Sequence, residues 1–337
     1  MKKSFLFLAA AALALASCNN DIILDENTDL TDPYELQEIE FAPLSTPVKR
    51  APVEGTTFPT GQDMYVAAYD ATAGADYFGQ TTFDEDGTTG KWKASPAKYW
   101  PLDAATINFL AYTGVPSGEY FNATHPAQDL SITLADNSTN QYDLMYACGR
   151  QSRARGAAAS DVSMNFKHAL ALIKFTVQSA ADYGTALKLT SIVLTGAHYS
   201  GTYAITHTGW NDTDNDPAAQ AVSGTWSSVS TQADVIRTPL TADGWDANGT
   251  VTTTERQVGA GILVVPDEND ATDDYTSFTI SYRLDGNPYT FTFTPADLDV
   301  HQAKKYTFAI TMTLNEIIIA PEVTDFVEEN DNSVAVQ

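Results

Sequence analysis

The amino-acid sequence predicts an all-β protein built from β-sandwiches. Many short runs of β-forming residues are separated by Gly, Asp-Gly and Pro turns. Long helical periodicity is scarce, whereas Thr, Ser, Gly, Asn and Asp are abundant. In residues 306–314, large apolar side chains recur at every second position, which is the pattern of a strand with one buried face.

The first 18 residues have the composition of a signal peptide. Lys2 and Lys3 form a positive n-region, and residues 5–16 form an apolar run that is shorter than the roughly 20 residues of a membrane-spanning helix. The run ends in Leu-Ala-Ser-Cys at residues 15–18, which resembles the lipobox of bacterial lipoproteins. We therefore expect acylation of Cys18 and a membrane anchor. The alternative is an ordinary signal peptide with an incidental cysteine.

A polar, acidic stretch over residues 19–35 predicts a flexible tether. Residues 38–41, Glu-Ile-Glu-Phe, then alternate polar and apolar side chains with the period of a half-buried strand. Two prolines follow closely, and proline in a strand pattern indicates an edge strand or a strand end. We expect residues 36–48 to pack as an edge strand, with Ile39 and Phe41 pointing inward.

Further β-type runs lie on both sides of a stretch at residues 149–160 that contains three arginines and small residues. The runs before it are 64–69, 106–112 and 142–146, and those after it are 171–177, 187–194, 262–265, 275–283, 289–293 and 306–314. A hydrophobic fraction of 43% is enough for real cores, and the length favours two domains. We expect an N-terminal sandwich over residues 36–157 and a C-terminal sandwich over residues 158–337.

Charge and motifs exclude several classes of function. A net charge of −25 repels nucleic acid, so we expect no nucleic-acid partner. The chain has no Gly-x-Ser-x-Gly, no His-Glu-x-x-His and no phosphate-binding glycine loop, and its five histidines lack metal-ligand spacing. Cys148 has no partner cysteine after Cys18 is acylated, and its apolar neighbours predict a core position. The sequence predicts a non-enzyme without a cofactor, a metal site or catalytic residues.

The tryptophans leave one binding role open. Trp210, Trp226 and Trp245 lie in polar stretches rich in Gly or Asp, and exposed rings there would form a platform for stacking sugars. Trp100 lies in Lys-Tyr-Trp-Pro at residues 98–101, where a core position is expected.

Several stretches together resemble the fimbrillin (type V pilin) family. They are the lipobox, the strand that ends in Arg near residue 50, Lys-Tyr-Trp-Pro, residues 162–177 with Phe-Lys-His-Ala-Leu, and residues 261–266 and 305–315. They follow the order of the family along nearly the whole chain. The resemblance implies two transthyretin-like β-sandwich domains in tandem. It also implies export as an outer-membrane lipoprotein and removal of the N-terminal strand by an arginine-specific protease.

The resemblance places the cut between Arg50 and Ala51, so that residues 36–50 are a removable strand. Ile39 and Phe41 would plug the groove of the precursor, and a strand from another fimbrial subunit would replace them after the cut. Exposed arginines at positions 150, 153 and 155 (Arg150, Arg153 and Arg155) are competing protease sites. The tail, residues 316–337, is either a donor strand or the terminal strand of the second domain.

The sequence thus predicts a structural or accessory subunit of a type V fimbria that acts in adhesion. Its partners would be other fimbrial subunits, the protease, the outer membrane through the lipid on Cys18, and a glycan or host-protein receptor. The alternative from another class is a surface glycan-binding lipoprotein that never polymerises and keeps its anchor. An enzyme ranks third because no catalytic constellation is found.

Overall fold

The computed structural model describes residues 36–41, 63–115, 129–208, 221–266, 277–294 and 300–326. These residues form sixteen strands and one 3-10 helical turn at Thr241–Asp243. The strands are β1 (Met64–Asp70), β2 (Ala75–Glu85), β3 (Trp92–Ala94), β4 (Ala105–Thr113), β5 (Asp129–Leu134), β6 (Met145–Arg153), β7 (Lys167–His168), β8 (Ala171–Ser179), β9 (Leu187–Thr208), β10 (Ala221–Arg237), β11 (Arg256–Gln257), β12 (Ile262–Val264), β13 (Ser277–Leu284), β14 (Asn287–Phe293), β15 (Lys304–Met312) and β16 (Ile317–Asp325). The predicted all-β class is confirmed.

The strands form three sheets. The first has the order β3-β2-β1-β4-β6-β7; the second has the order β10-β9-β13-β14 with β5 also paired to β9; the third has the order β11-β8-β15-β16 with β12 also paired to β8. In the third sheet β15 runs parallel to β8 and antiparallel to β16. Within the described ranges, no helix has the length and apolar character that crossing a bilayer requires.

Strand β4 lies at the centre of the first sheet and is buried on both faces. Every residue of its sequence ATINFLAYT is buried, including the polar residues Thr106, Asn108 and Thr113. Alternate side chains therefore enter two different cores. Phe109 lies in the first core together with Ile39 and Phe41, whereas Tyr112 lies in the second core. The third core lies between the second and third sheets.

Strands from both predicted halves share sheets. Strand β5, which precedes residue 158, pairs with β9 in the second sheet, and β7, which follows residue 158, pairs with β6 in the first sheet. The described residues all fall within one compact unit. The division into domains at 36–157 and 158–337 stays a prediction.

The stretch at residues 149–160, where the sequence placed the domain boundary, begins as part of β6. Its polar residues are held in a strand because they pair with β4 along the full length of β6. Gly149 is required there: a Cβ on it would lie 2.5 Å from Met164 Sδ and 3.0 Å from Ser163 O. The missing side chain thus allows residues 162–164 to pack directly on β6, beside the site described next.

Candidate functional site

Residues 36–41 lie between two other segments of the chain rather than at an edge. Phe41 pairs antiparallel with Trp92 of β3 on one side and parallel with Val162 on the other, and Glu38 pairs with Tyr99. The expectation of an edge strand was therefore wrong for the described part. The prolines that indicated an edge come after Phe41, outside the described residues.

Backbone hydrogen bonds hold this segment on both sides. Toward residues 92–100, Ile39 N–H donates to Lys98 O (2.7 Å), Trp100 N–H to Gln37 O (2.9 Å), Phe41 N–H to Trp92 O (3.1 Å) and Trp92 N–H to Phe41 O (3.2 Å). On the other side, Val162 N–H donates to Glu40 O (3.0 Å), and Ala159 N–H donates to Gln37 Oε1. Residues 36–41 thus fill a groove whose two walls, residues 91–100 and 159–162, both present strand-pairing groups.

The inward face of the segment completes the first core. Ile39 is 0% exposed and Phe41 is 1% exposed, so both point inward as their alternation with the glutamates indicates. The Phe41 ring packs edge-on against Phe83 (centroids 4.9 Å apart) and Phe109 (5.4 Å apart). Full burial contributes about 1.5–3 kcal/mol for each of the two side chains, and each aromatic pair adds about 0.5–1.5 kcal/mol.

The outward face of the segment carries a charged cluster around Glu40. Glu40 Oε2 lies 2.7 Å from Lys91 Nζ, and its Oε1 lies 3.0 Å from Lys93 Nζ. Lys91 also contacts Asp161 at 2.8 Å, and Lys93 contacts Asp86 at 3.3 Å. The hydrogen bond from Lys91, assisted by Lys93, lowers the pKa of the Glu40 carboxyl against the opposing effect of burial. Hydrogen bonds to Asp161 and then Glu40 raise the pKa of Lys91.

These ion pairs predict how pH acts on the segment. The pKa of the Glu40 carboxyl is lowered from 4.5 in the folded chain. The ion pairs of Glu40 therefore stabilise the fold above pH 4.5, and this stabilisation is lost as the pH falls through the lowered pKa of the folded state. We expect Glu40→Gln to lower the free energy of unfolding of the precursor at pH 6. The difference in this free energy between the variant and the wild type should be smaller at pH 3. Urea unfolding at both pH values measures this.

The matched control for that experiment is Glu38→Gln, which makes the same chemical change two residues away on the same segment. The difference in free energy of unfolding between Glu38→Gln and the wild type should vary less between the two pH values. A Glu40→Gln difference that is equally large at pH 3 and pH 6 would contradict the role given to the ionised carboxylate.

The predicted lipidation and cleavage residues lie outside the described residues. These are Cys18, Arg50 and Ala51. Of the competing arginines, Arg150 lies inside β6 opposite Asn108. Arg153 is 6% exposed, with Nε donating to Ala157 O and Nη1 to Pro101 O. The expectation that these two are exposed was wrong, because they belong to a paired strand.

Arg155 is the competing arginine that the structure leaves accessible. It lies in a turn after β6, its side chain is 65% exposed, and its Nε is 3.7 Å from Asp103. Such a loop arginine is open to a protease.

The first part of the C-terminal tail lies in the third sheet. Strand β16 pairs with β15 from Ile317 to Asp325. Phe326, which is 3% exposed, stacks on the ring of His168 with centroids 3.6 Å apart. Residues 317–325 are thus the last strand of the described part of the chain. The donor role of the tail stays a prediction, and residues 327–337 lie outside the described ranges.

The aromatic platform expected from the tryptophans is not formed by the described ones. Trp226 and Trp245 are 2% and 3% exposed, so their expected exposure was wrong. Each indole is held by a 2.6 Å hydrogen bond from Nε1, to Ala169 O and Gln257 O respectively. Trp100 lies in the core as predicted, and Trp210 lies outside the described residues. No tryptophan in the described part of the chain therefore supports sugar stacking.

Two other expectations concern reactive groups. Cys148 is half-buried against the second core, and burial raises the pKa of its thiol. This keeps the sulfur protonated and argues for a packing role. Among the described residues, no group of three His, Cys, Asp or Glu side chains is placed to hold a metal.

Sequence reasoning missed the walls of the groove. Lys91 and Lys93 were not singled out, although Lys-Trp-Lys repeats the alternation of Glu-Ile-Glu-Phe with the opposite charge. Asp161 was missed as well. The signal in the sequence was the opposite charge of the two alternating runs, residues 38–41 and residues 91–93, which indicates that they could pair.

One comparison with known proteins shows the family of this chain. A family model described as fimbrillin-like matches residues 50–325, more than half of the chain. A search of curated proteins finds no match.

Three solved structures are similar to this chain. A protein assigned to cell adhesion from Bacteroides uniformis is 13% identical, with a TM-score of 0.50 over 88% of this chain and 99% of that one. A fimbrial protein from Bacteroides vulgatus is 17% identical, with a TM-score of 0.49 over 80% and 93%. The tip fimbrial protein Mfa3 from Porphyromonas gingivalis, with a C-terminal truncation, is 11% identical, with a TM-score of 0.45 over 86% and 98%. At 13% identity, the likeness to the Bacteroides uniformis protein concerns the fold alone.

Proposed function

The chain belongs to the fimbrillin-like family, and from this premise we propose that it is a fimbrial subunit whose assembly groove is closed by residues 36–41 until proteolysis opens it. The pairing of this segment on both sides is the observation that carries the proposal. A strand at an edge leaves a flat surface when it is removed, whereas a strand between two others leaves a groove with two unpaired walls.

The physical reason for strand exchange follows from those walls. Without residues 36–41, the N–H groups of Trp92, Trp100 and Val162 and the carbonyl of Lys98 lose their partners. Burying such groups unpaired costs about 1–3 kcal/mol each, and the apolar floor beneath Ile39 and Phe41 becomes exposed to water. A strand from another subunit satisfies both demands at once.

Arg50 is the proposed cut site, and Cys18 is the proposed anchor in the outer membrane. Residues 36–41 are called the closing segment below. A cut between Arg50 and Ala51 separates the closing segment and the acylated N-terminus from the remaining chain in one step. The pairing of Arg150 within β6 and the burial of Arg153 support Arg50, because both make a competing arginine less accessible. In this proposal the subunit acts in adhesion at the cell surface, with a glycan or host-protein receptor, and carries two transthyretin-like sandwiches.

The cut site is tested by digestion with an arginine-specific protease. Wild-type protein should yield a new N-terminus at Ala51, identified by mass spectrometry, and Arg50→Ala should prevent that cut while leaving the fold intact. Arg155→Ala is the matched control and should still be cut after Arg50.

Two results would contradict this assignment. One is a cut after Arg155 alone; the other is a surface form that still begins at acylated Cys18. The second result would favour the glycan-binding lipoprotein that keeps its anchor.

A further inference from the structure

The groove has a charged position between its two apolar positions. The side chains of Ile39 and Phe41 enter the first core, and Glu40 between them points to the opposite face. There it meets Lys91 and Lys93, which flank Trp92, the residue that pairs with Phe41. Each oxygen of the Glu40 carboxylate therefore contacts a different ammonium group.

Both walls of the groove build this carboxylate position. The two lysines come from the wall that contains β3, and Asp161, 2.8 Å from Lys91 Nζ, comes from the opposite wall. Asp86, 3.3 Å from Lys93 Nζ, holds the second ammonium group. Neither contact uses an atom of residues 36–41, so each lysine has a carboxylate partner besides Glu40. The position is thus organised before an incoming strand arrives.

We propose that this groove selects an incoming strand in which one acidic residue stands between two apolar residues. The apolar side chains take the places of Ile39 and Phe41, and the carboxylate takes the place of Glu40 between the lysines. This inference rests on the proposed function, since it assumes that residues 36–41 are replaced. Charge-assisted hydrogen bonds fix the register, because a slip by one residue would bury the acidic side chain in the core.

The backbone adds a second requirement. Ile39 and Phe41 each donate an N–H, to Lys98 O and Trp92 O respectively. Neither apolar residue of the incoming strand can therefore be proline, which has no N–H.

The tail of the chain itself fits this requirement poorly. Residues 316–337 contain one acidic residue between two apolar ones, Glu322, and the residue before it is Pro321. That part of the tail is also paired as β16 in the third sheet, with Phe326 buried after it. We therefore expect the partner strand from a subunit of different sequence rather than from residues 316–337 of a second copy of this chain.

Peptide competition on the full chain cut after Arg50 tests the selection. Three synthetic probes are used: residues 36–48, the same peptide with Glu40→Gln, and residues 316–337. The labelled 36–48 peptide should enter the groove, and we expect the Gln version to bind about tenfold more weakly. The tail peptide should compete more weakly still. Fluorescence polarisation measures all three affinities.

A double-mutant cycle assigns the effect to the lysines. In the variant Lys91→Met/Lys93→Met, the Glu and Gln peptides should bind about equally. Equal binding of the two peptides to wild-type protein would overturn the selection and leave the groove intact. A tail peptide that competes as well as residues 36–48 would overturn the requirement for a different subunit. Failure of every peptide to enter would instead contradict the proposed function.

Discussion

Replacing Phe41 by alanine is expected to destabilise the precursor by about 3–5 kcal/mol, the usual cost of removing a buried phenylalanine. Phe41 is 1% exposed and contacts both Phe83 and Phe109, so the cavity would open in the middle of the first core. Because the segment would then be held only by backbone hydrogen bonds, Ile39 and the ion pairs of Glu40, the uncut variant should also admit a competing strand. Chemical denaturation gives the first quantity, and capture of a labelled peptide of residues 36–48 gives the second.

Phe308→Ala provides the matched control. Phe308 is also 1% exposed, but it lies in the third core against Phe175 and Phe278. Its loss should cost a similar amount of stability without opening the groove. Equal peptide capture by the two variants would mean that general destabilisation, and not the release of residues 36–41, admits the strand.

Cutting the precursor after Arg50 is expected to change a monomer into an assembling subunit when its partner subunits are present. The cut removes the covalent link that makes the closing segment an intramolecular competitor. An intramolecular strand competes at an effective concentration of about millimolar or more, so its release greatly favours an incoming strand. Size-exclusion chromatography and electron microscopy would follow the oligomers.

Arg50→Ala treated with the same protease and the same partners should remain monomeric. A wild-type protein that is cut at Arg50 and still stays monomeric with its partners would contradict the account. The glycan-binding lipoprotein would then be the better interpretation.

Local patterns in the sequence were sufficient to predict which side chains of residues 36–41 are buried. They did not predict which residues surround this segment. The two-residue period of Glu-Ile-Glu-Phe predicted the burial of Ile39 and Phe41, because strand side chains alternate between faces. The partners of Glu40 could not be found in the same way. Lys91 is 51 residues from Glu40, and Asp161 is 70 residues from Lys91. Only the tertiary pairing of three distant segments brings these charges together.

Polar composition misled the prediction for Trp226. Strand β10 is rich in Ser and Thr, which suggested a loop with exposed rings. A strand with one face in solvent accepts polar residues at every second position, so Val222 and Trp226 face the second core while their neighbours face outward. The prediction took account of how many polar residues surround Trp226, but it overlooked that they alternate with buried residues.

Hydrogen exchange at the groove walls tests the central claim most directly. The N–H groups of Trp92, Trp100 and Val162 donate to residues 36–41 in the precursor, and the amides of β15 serve as an internal reference. The account predicts slow exchange at the three wall amides in the precursor. Exchange should become fast once the cut segment is removed and slow again in the assembled oligomer, while the β15 amides stay unchanged. Wall amides that remain fast in the oligomer would show that assembly does not refill the groove, and the account would be wrong.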